Sequence, residues 1–189
     1  PYPTHAIGPI AQLLGFHRRD RMMRLSSVTG RAAGRDSLLG HANHTLITTE
    51  RGVTILLQFD GTTPRPYSRI QGISGTKAFA QKYPLPLFQD ADGLREGEAA
   101  ENFLHSVADS PAYLLWREGA ECGVPNAMNY AMDCRLIHCL RHGLSLDIDV
   151  YDAAEWSCLA ELTRFSAQRG GTPVDIPDFL NGEMPPAQR

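Results

Sequence analysis

Apolar residues recur at Ile7, Ile10, Leu13 and Leu14, the three-to-four spacing of one helix face, and Gly15 supplies a stop. Pro9 is expected in the first turn of that helix, where a missing N–H costs nothing. The pattern then changes. Residues 21–30, rich in Met, Leu, Ser, Val and Thr, read as a strand, and the Gly- and Arg-rich residues 30–40 as a loop. Residues 44–50 and 53–60 form a hairpin with Arg51-Gly52 at its turn. In the second arm Val53, Ile55, Leu57 and Phe59 alternate with Thr54, Gln58 and Asp60, which predicts a half-buried antiparallel strand with one apolar face. Pro64 and Pro66 break the run. Residues 67–73 and 77–81 read as two further strands around Ser74-Gly75-Thr76, and Pro84 and Pro86 as an edge or loop.

Beyond this the pattern turns helical. Residues 90–101 are acidic and contain glycine, a loop or a weak helix start. Ser110 can cap a helix with Pro111 in its first turn and Tyr113, Leu114 and Trp116 following. Asn126 caps the next, with Met128, Ala131, Met132, Leu136, Cys139 and Leu140 as its stripe and Gly143 as its end. Asp149 or Asp152 opens a third, with Ala153, Trp156, Leu159, Ala160, Leu162 and Phe165 as core candidates, and Gly170-Gly171 ends it. Residues 173–177 form a short extended segment. Helix, antiparallel strands, then helices is an α+β order: one open, mostly antiparallel sheet with helices packed on one face, in a single domain over residues 1–189.

Composition agrees with a folded domain: 42% hydrophobic, 21% charged, formal charge −3. That charge supplies no basic field for nucleic acid or anionic lipid, and the apolar runs are too short to span a bilayer. Cys122, Cys134, Cys139 and Cys158 form no CxxC pair and read as ordinary thiols, leaving the compartment open. His41 with His44, and His138 with His142 near Cys134, have ligand-like spacing but no complete set, so no metal is expected. No G-x-G-x-x-G, Walker or G-x-S-x-G motif is present. What stands out is the opening, Tyr2-Pro3-Thr4-His5: a phenol and an imidazole on a proline-stiffened turn at a helix mouth, two groups able to move protons. Taken alone, His5 equally suits a histidine bracing a helix start. The opening without methionine leads to the expectation that the chain is the second half of something larger.

Four segments in order carry a resemblance. They are Tyr2-Pro3-Thr4-His5 with Gly8-Pro9; Thr62-Thr63-Pro64-Arg65-Pro66-Tyr67-Ser68-Arg69 with Gly75-Thr76-Lys77; Met128-Asn129-Tyr130-Ala131-Met132-Asp133; and Asp149-Val150-Tyr151-Asp152-Ala153-Ala154-Glu155-Trp156-Ser157 with Val174-Asp175-Ile176-Pro177-Asp178-Phe179. Over almost the whole chain they resemble the C-terminal half of glycoside hydrolase family 109, NAD-dependent α-N-acetylgalactosaminidases of the Gfo/Idh/MocA oxidoreductase superfamily. The resemblance implies an upstream Rossmann domain as the chain's own partner and main holder of NAD, a carbohydrate substrate, and a homo-oligomer formed through the open sheet. It implies a hydrolysis outside the two-carboxylate scheme: transient oxidation at the sugar C3, loss of the C2 proton, elimination at C1 and addition of water. Carried over, His5 and Tyr2 are the catalytic residues. Tyr2, Pro3, Thr4, His5 and Tyr130 line the sugar, and Tyr2 also touches the cofactor. Before the tyrosine this chain reads Val124-Pro125-Asn126-Ala127-Met128-Asn129, where the family more often has His-Gly-Gly ahead of the methionine and Asp at the place of Asn129.

Other residues have plainer readings. Arg65 and Arg69 suit surface ion pairing, Asp149, Asp152 and Glu155 suit helix-start charge, and Trp156 suits the core. Two other functions stay open: a domain of a sugar oxidoreductase without hydrolase activity, and a non-catalytic sugar-binding or assembly module.

Overall fold

The computed structural model describes residues 3–30, 42–61, 63–107 and 110–180. In chain order its elements are α1 (Thr4–Leu14), β1 (Met22–Gly30), β2 (Ala42–Thr49), β3 (Thr54–Asp60), β4 (Gly72–Ser74), β5 (Phe79–Gln81), β6 (Leu87–Asp90), β7 (Gly93–Glu96), α2 (Glu98–Val107), α3 (Pro111–Glu121), α4 (Ala127–His142), α5 (Val150–Gln168) and β8 (Val174–Asp175). They fall into two compact units, one from residues 1–65 and 148–189, the other from residues 66–147. The expected α+β character, open antiparallel sheets with helices, is what forms, with the strands divided between two four-stranded sheets, β3-β2-β1-β8 and β4-β5-β6-β7. The division falls at the prolines, whose missing N–H groups interrupt a ladder. Tyr2, His41 and the expected loop over residues 31–40 lie outside the described residues.

In the first unit α1 begins at Pro3, whose carbonyl accepts from Ala6 (3.0 Å) and Ile7 (2.9 Å). It ends at Gly15, whose φ of 67° is the left-handed turn a glycine adopts without a Cβ penalty. The start is earlier than Pro9 suggested, so Pro9 sits inside the helix rather than in its first turn. There it offers no N–H to the carbonyl of His5, on the exposed side of the helix.

β1, β2 and β3 form the expected meander, with Gly52 at φ 82° in the hairpin turn. Leu25, Ile47 and Ile55 point inward and share one buried cluster with Ile7, Ala11 and Phe16 and with Trp156 and Leu159 of α5. A register shift between Met22 and Arg24 lets Met22 and Leu25, three apart, share the inner face. The apolar face expected on β3 is therefore internal at Ile55 and Leu57, while the opposite face of the sheet leaves Val28, Leu46 and Leu56 exposed.

α5 starts with a capping box: Asp149 accepts from Asp152 N (3.0 Å), and Asp152 accepts from Asp149 N (3.0 Å). Its buried stripe is Asp152, Glu155, Trp156, Leu159, Thr163 and Ser166. Only Trp156 and Leu159 match fully buried positions of the expected stripe; Ala153 and Phe165 are exposed. The stripe escaped an apolar reading because four of its members, Asp152, Glu155, Thr163 and Ser166, are polar. Ser166 Oγ accepts from Ser27 N (2.9 Å) and donates to the carbonyl of Thr172 (2.7 Å).

In the second unit the β4–β5 hairpin is shorter than expected, and residues 90–101 hold the β6–β7 turn, the unforeseen strand β7 and the expected helix start, that of α2. Phe103 of α2 lies 4.9 Å from the Phe88 ring, centroid to centroid, with the Arg95 guanidinium 4.1 Å from its own centroid. Ser110 and Asn126 cap α3 and α4 as expected, and Gly143 ends α4 with φ 62°. The α4 stripe departs from expectation: Ala131 and Cys139 are buried, whereas Met128, Met132, Leu136 and Leu140 are exposed. Contact with α3 is made where the Tyr130 ring lies on Gly119. A Cβ on Gly119 would stand 2.8 Å from Tyr130 Cδ1, so the helices touch where no side chain intervenes.

Candidate functional site

The opening motif is placed by α1. Pro3 is buried as the N-cap, Thr4 is half-buried, and His5 projects from the first turn with its side chain exposed. The opposite side of the helix is closed by Ile7, Gly8 and Ala11. Gly8 lies against the Trp156 indole, and a Cβ there would come within 3.2 Å of Trp156 Cζ3. That close approach pins α1 on α5 and presents the His5 turn on the other side. Pro3, Thr4 and His5 are thus brought together on one helix mouth, with His5 reachable from solvent.

Tyr130 belongs to the second unit, on α4. Its hydroxyl donates to Glu118 Oε1 (3.1 Å), and its ring lies on the Gly119 backbone of α3. Cys134, one turn along the helix, and Glu118 push its pKa up to about 12. The phenol stays neutral at ordinary pH and acts as a donor rather than a base. The plainer readings hold for Trp156, which is core, and for Asp149 and Asp152, which form the capping box. Arg65 lies 3.8 Å from Asp60, and the Arg69 guanidinium sits 5.6 Å from the Tyr67 ring centroid.

Glu155 is not a helix-start surface charge. It is buried in the core-facing stripe of α5, with Oε2 3.3 Å from Nε2 of buried His17. The two atoms form an ion pair at a separation longer than an ordinary charge-assisted hydrogen bond. Glu155 nevertheless holds the His17 pKa above its ordinary 6.5 against the effect of burial, and Asp152 and Asp149 add to it. The signal for this pair was present as His17-Arg18-Arg19-Asp20-Arg21 just past a helix stop, but nothing local pointed to its partner some 140 residues on.

Among the described residues no group of three His, Cys, Asp or Glu converges as a metal site. The His138 and His142 rings lie 4.3 Å apart, centroid to centroid, tilted by 34°, and His142 Nδ1 donates to the His138 carbonyl (2.8 Å). No helix among them is long and apolar enough to cross a membrane. Two surface cavities among the described residues measure about 220 Å³, beside Ser74 and Phe79, and about 210 Å³, beside His17 and Glu155. Both are smaller than the pocket a drug-sized molecule occupies, about 300 Å³ or more. A dinucleotide does not fit either, and the described residues contain no glycine-rich phosphate cradle.

Solved structures share the fold at low identity. An oxidoreductase from Pseudomonas syringae superposes with a TM-score of 0.66 at 14% identity, over 93% of this chain and 50% of that one. An inositol dehydrogenase homolog from Azotobacter vinelandii, complexed with NAD+, gives 0.55 at 18% identity, over 92% and 47%. Sequence relatives are nearer. The alpha-N-acetylgalactosaminidase of Bacteroides fragilis is 47% identical over 202 residues, covering 96% of this chain and 48% of the relative. A glycosyl hydrolase family 109 protein of Phocaeicola vulgatus is also 47% identical, with 49% of its length covered. The chain therefore spans about half the length of the curated relatives it matches. The model of the glycosyl hydrolase 109 C-terminal domain matches residues 1–185, and the chain belongs to that family.

Proposed function

We propose that this chain is the sugar-facing C-terminal domain of an NAD-dependent glycosidase that cleaves α-N-acetylgalactosaminides by transient C3 oxidation, elimination and water addition. The observation that carries the reading is His5, an exposed imidazole on the first turn of α1, in a chain of family 109. The name of the Bacteroides fragilis relative supplies the sugar.

In this reading the redox chemistry belongs to a dinucleotide held by a Rossmann domain outside the described residues. This chain contributes grip and proton handling. His5 takes and returns a proton beside the ring or hydrogen-bonds one of its hydroxyls, since an imidazole can do either near neutral pH. By the family resemblance Tyr2 would serve both sugar and cofactor, and Pro3 and Thr4 would line the sugar. Tyr130 offers a neutral hydroxyl and a ring face to the sugar. The exposed outer sheet face at Val28, Leu46 and Leu56 is where a second subunit packs.

The test is the full-length protein with p-nitrophenyl α-N-acetylgalactosaminide and NAD+. Nitrophenol release without net NADH is the expected result. Net NADH would instead establish a sugar oxidoreductase, the second reading, which the oxidoreductase names of the fold neighbours favour.

A further inference from the structure

The cavity beside the His17–Glu155 pair lies wholly within the first unit, past the C-terminal end of α1. About 14 Å of helix rise separates His5 from Leu14, so this cavity is not the sugar site proposed at the helix mouth. It is walled by His17, Arg21 and Met22 after α1, Glu155 on α5, and Asp178 and Phe179 beyond β8.

Several features mark it as built rather than incidental. His17 is held at φ 63°, a left-handed conformation uncommon among non-glycine residues. The turn is secured by the Gly15 carbonyl, which accepts from the backbone N–H of Arg18 (3.0 Å) and Arg19 (2.7 Å). The strained turn places a buried imidazole against a buried carboxylate, yet His17 Nε2 and Glu155 Oε2 both lack a hydrogen-bond partner. Their residues are 6% and 2% exposed. Each has the other at 3.3 Å and no closer partner, and a buried polar pair left with so long a contact costs free energy. A ligand group that accepts from one and donates to the other would recover it.

The neighbouring charges define that group. Asp20 is satisfied by Thr49 Oγ1 (2.7 Å) and by the backbone N–H of Arg21 (2.9 Å) and Arg51 (3.1 Å). Arg21 bridges Asp178 (2.8 Å) and Glu50 (3.3 Å). An anionic ligand meets four carboxylates, Asp20, Glu50, Glu155 and Asp178. A cationic one meets the Arg21 guanidinium and an imidazole already held toward its charged form by Glu155. A hydroxyl is neutral and both accepts and donates. Met22, Phe179 and Leu180 supply an apolar wall for C–H faces. At about 210 Å³ the space holds several waters' worth of volume, at roughly 30 Å³ each, which suits a small molecule.

We propose that this cavity binds a small neutral polyhydroxylated ligand, one of whose hydroxyl groups bridges His17 Nε2 and Glu155 Oε2.

The test uses the full-length protein with isotope-labelled histidine, titrated with glycerol, erythritol and methyl β-D-glucopyranoside, with ethanolamine and acetate as cationic and anionic probes. A saturable shift of the His17 ring resonances by a hydroxylated probe, without a matching shift at His5, is expected. The affinity should fall at least tenfold in His17→Asn, where asparagine tolerates the left-handed turn, and in Glu155→Leu, which removes the acceptor. Saturation by glycerol or erythritol alone identifies a free polyol, and saturation by the glucoside alone a sugar ring. Absence of a saturable His17 shift with all three hydroxylated probes overturns the proposal, as does saturation by ethanolamine or acetate only. The wild-type titration decides even if a variant fails to fold.

Discussion

His17 shows how far a single side chain can stand from its apparent context. In the sequence it opens a charged run that looks solvated. In the fold it is buried against Glu155, on a turn that favours glycine or asparagine. Its pKa is raised above 6.5 chiefly by Glu155. A raised histidine pKa means that the folded state binds the proton more tightly than the unfolded chain does. The resulting stability is fully present below about pH 6.5 and is lost as pH rises through the elevated folded value. Urea midpoints measured from pH 6 to pH 9 should therefore fall more steeply for the wild type than for Glu155→Gln. Parallel slopes for the two proteins would contradict the pairing. Such a pair is not legible from spacing, because only the packing of α5 on the α1–β1 turn creates it.

Helices and strands were far more legible. Gly15, Ser110, Asn126, Gly143 and Asp149 all act as the caps their residue types promise, because capping is local chemistry. The β2–β3 hairpin followed from alternation about Arg51-Gly52. Faces that depend on polar or missing side chains were not legible. The buried stripe of α5 includes Thr163 and Ser166, and α4 meets α3 through Gly119. Ser166→Ala is expected to strand the Ser27 N–H and the Thr172 carbonyl beneath α5, destabilising the fold by about 1–3 kcal/mol in denaturant titration. A change below about 0.5 kcal/mol would mean that neither group depends on the hydroxyl. Gly119→Ala forces a Cβ to 2.8 Å from the Tyr130 ring, so α3 and α4 must separate. A loss of about 1–3 kcal/mol is expected, with a change in Tyr130 fluorescence or ring NMR shifts. Unaltered Tyr130 signals would show that the helices do not meet there.

The chain belongs to family 109 and spans about half the length of the curated relatives it matches. The opening motif was legible because its residue types carry chemistry, and the fold leaves His5 exposed on a helix anchored through Gly8 and Trp156. The sequence contains no glycine-rich dinucleotide motif, and the described cavities are smaller than a dinucleotide needs. Residues 1–189 alone are accordingly expected to release no nitrophenol from p-nitrophenyl α-N-acetylgalactosaminide with NAD+ present; measurable turnover would place the whole reaction within this chain. The most direct measurement is kcat together with NAD+ affinity for His5→Ala in the full-length protein. The account predicts that kcat falls at least a hundredfold, the usual scale for a lost acid–base group, while NAD+ binding stays within about twofold. Turnover equal to wild type would remove His5 from the chemistry and, with it, the proposed role of the helix mouth.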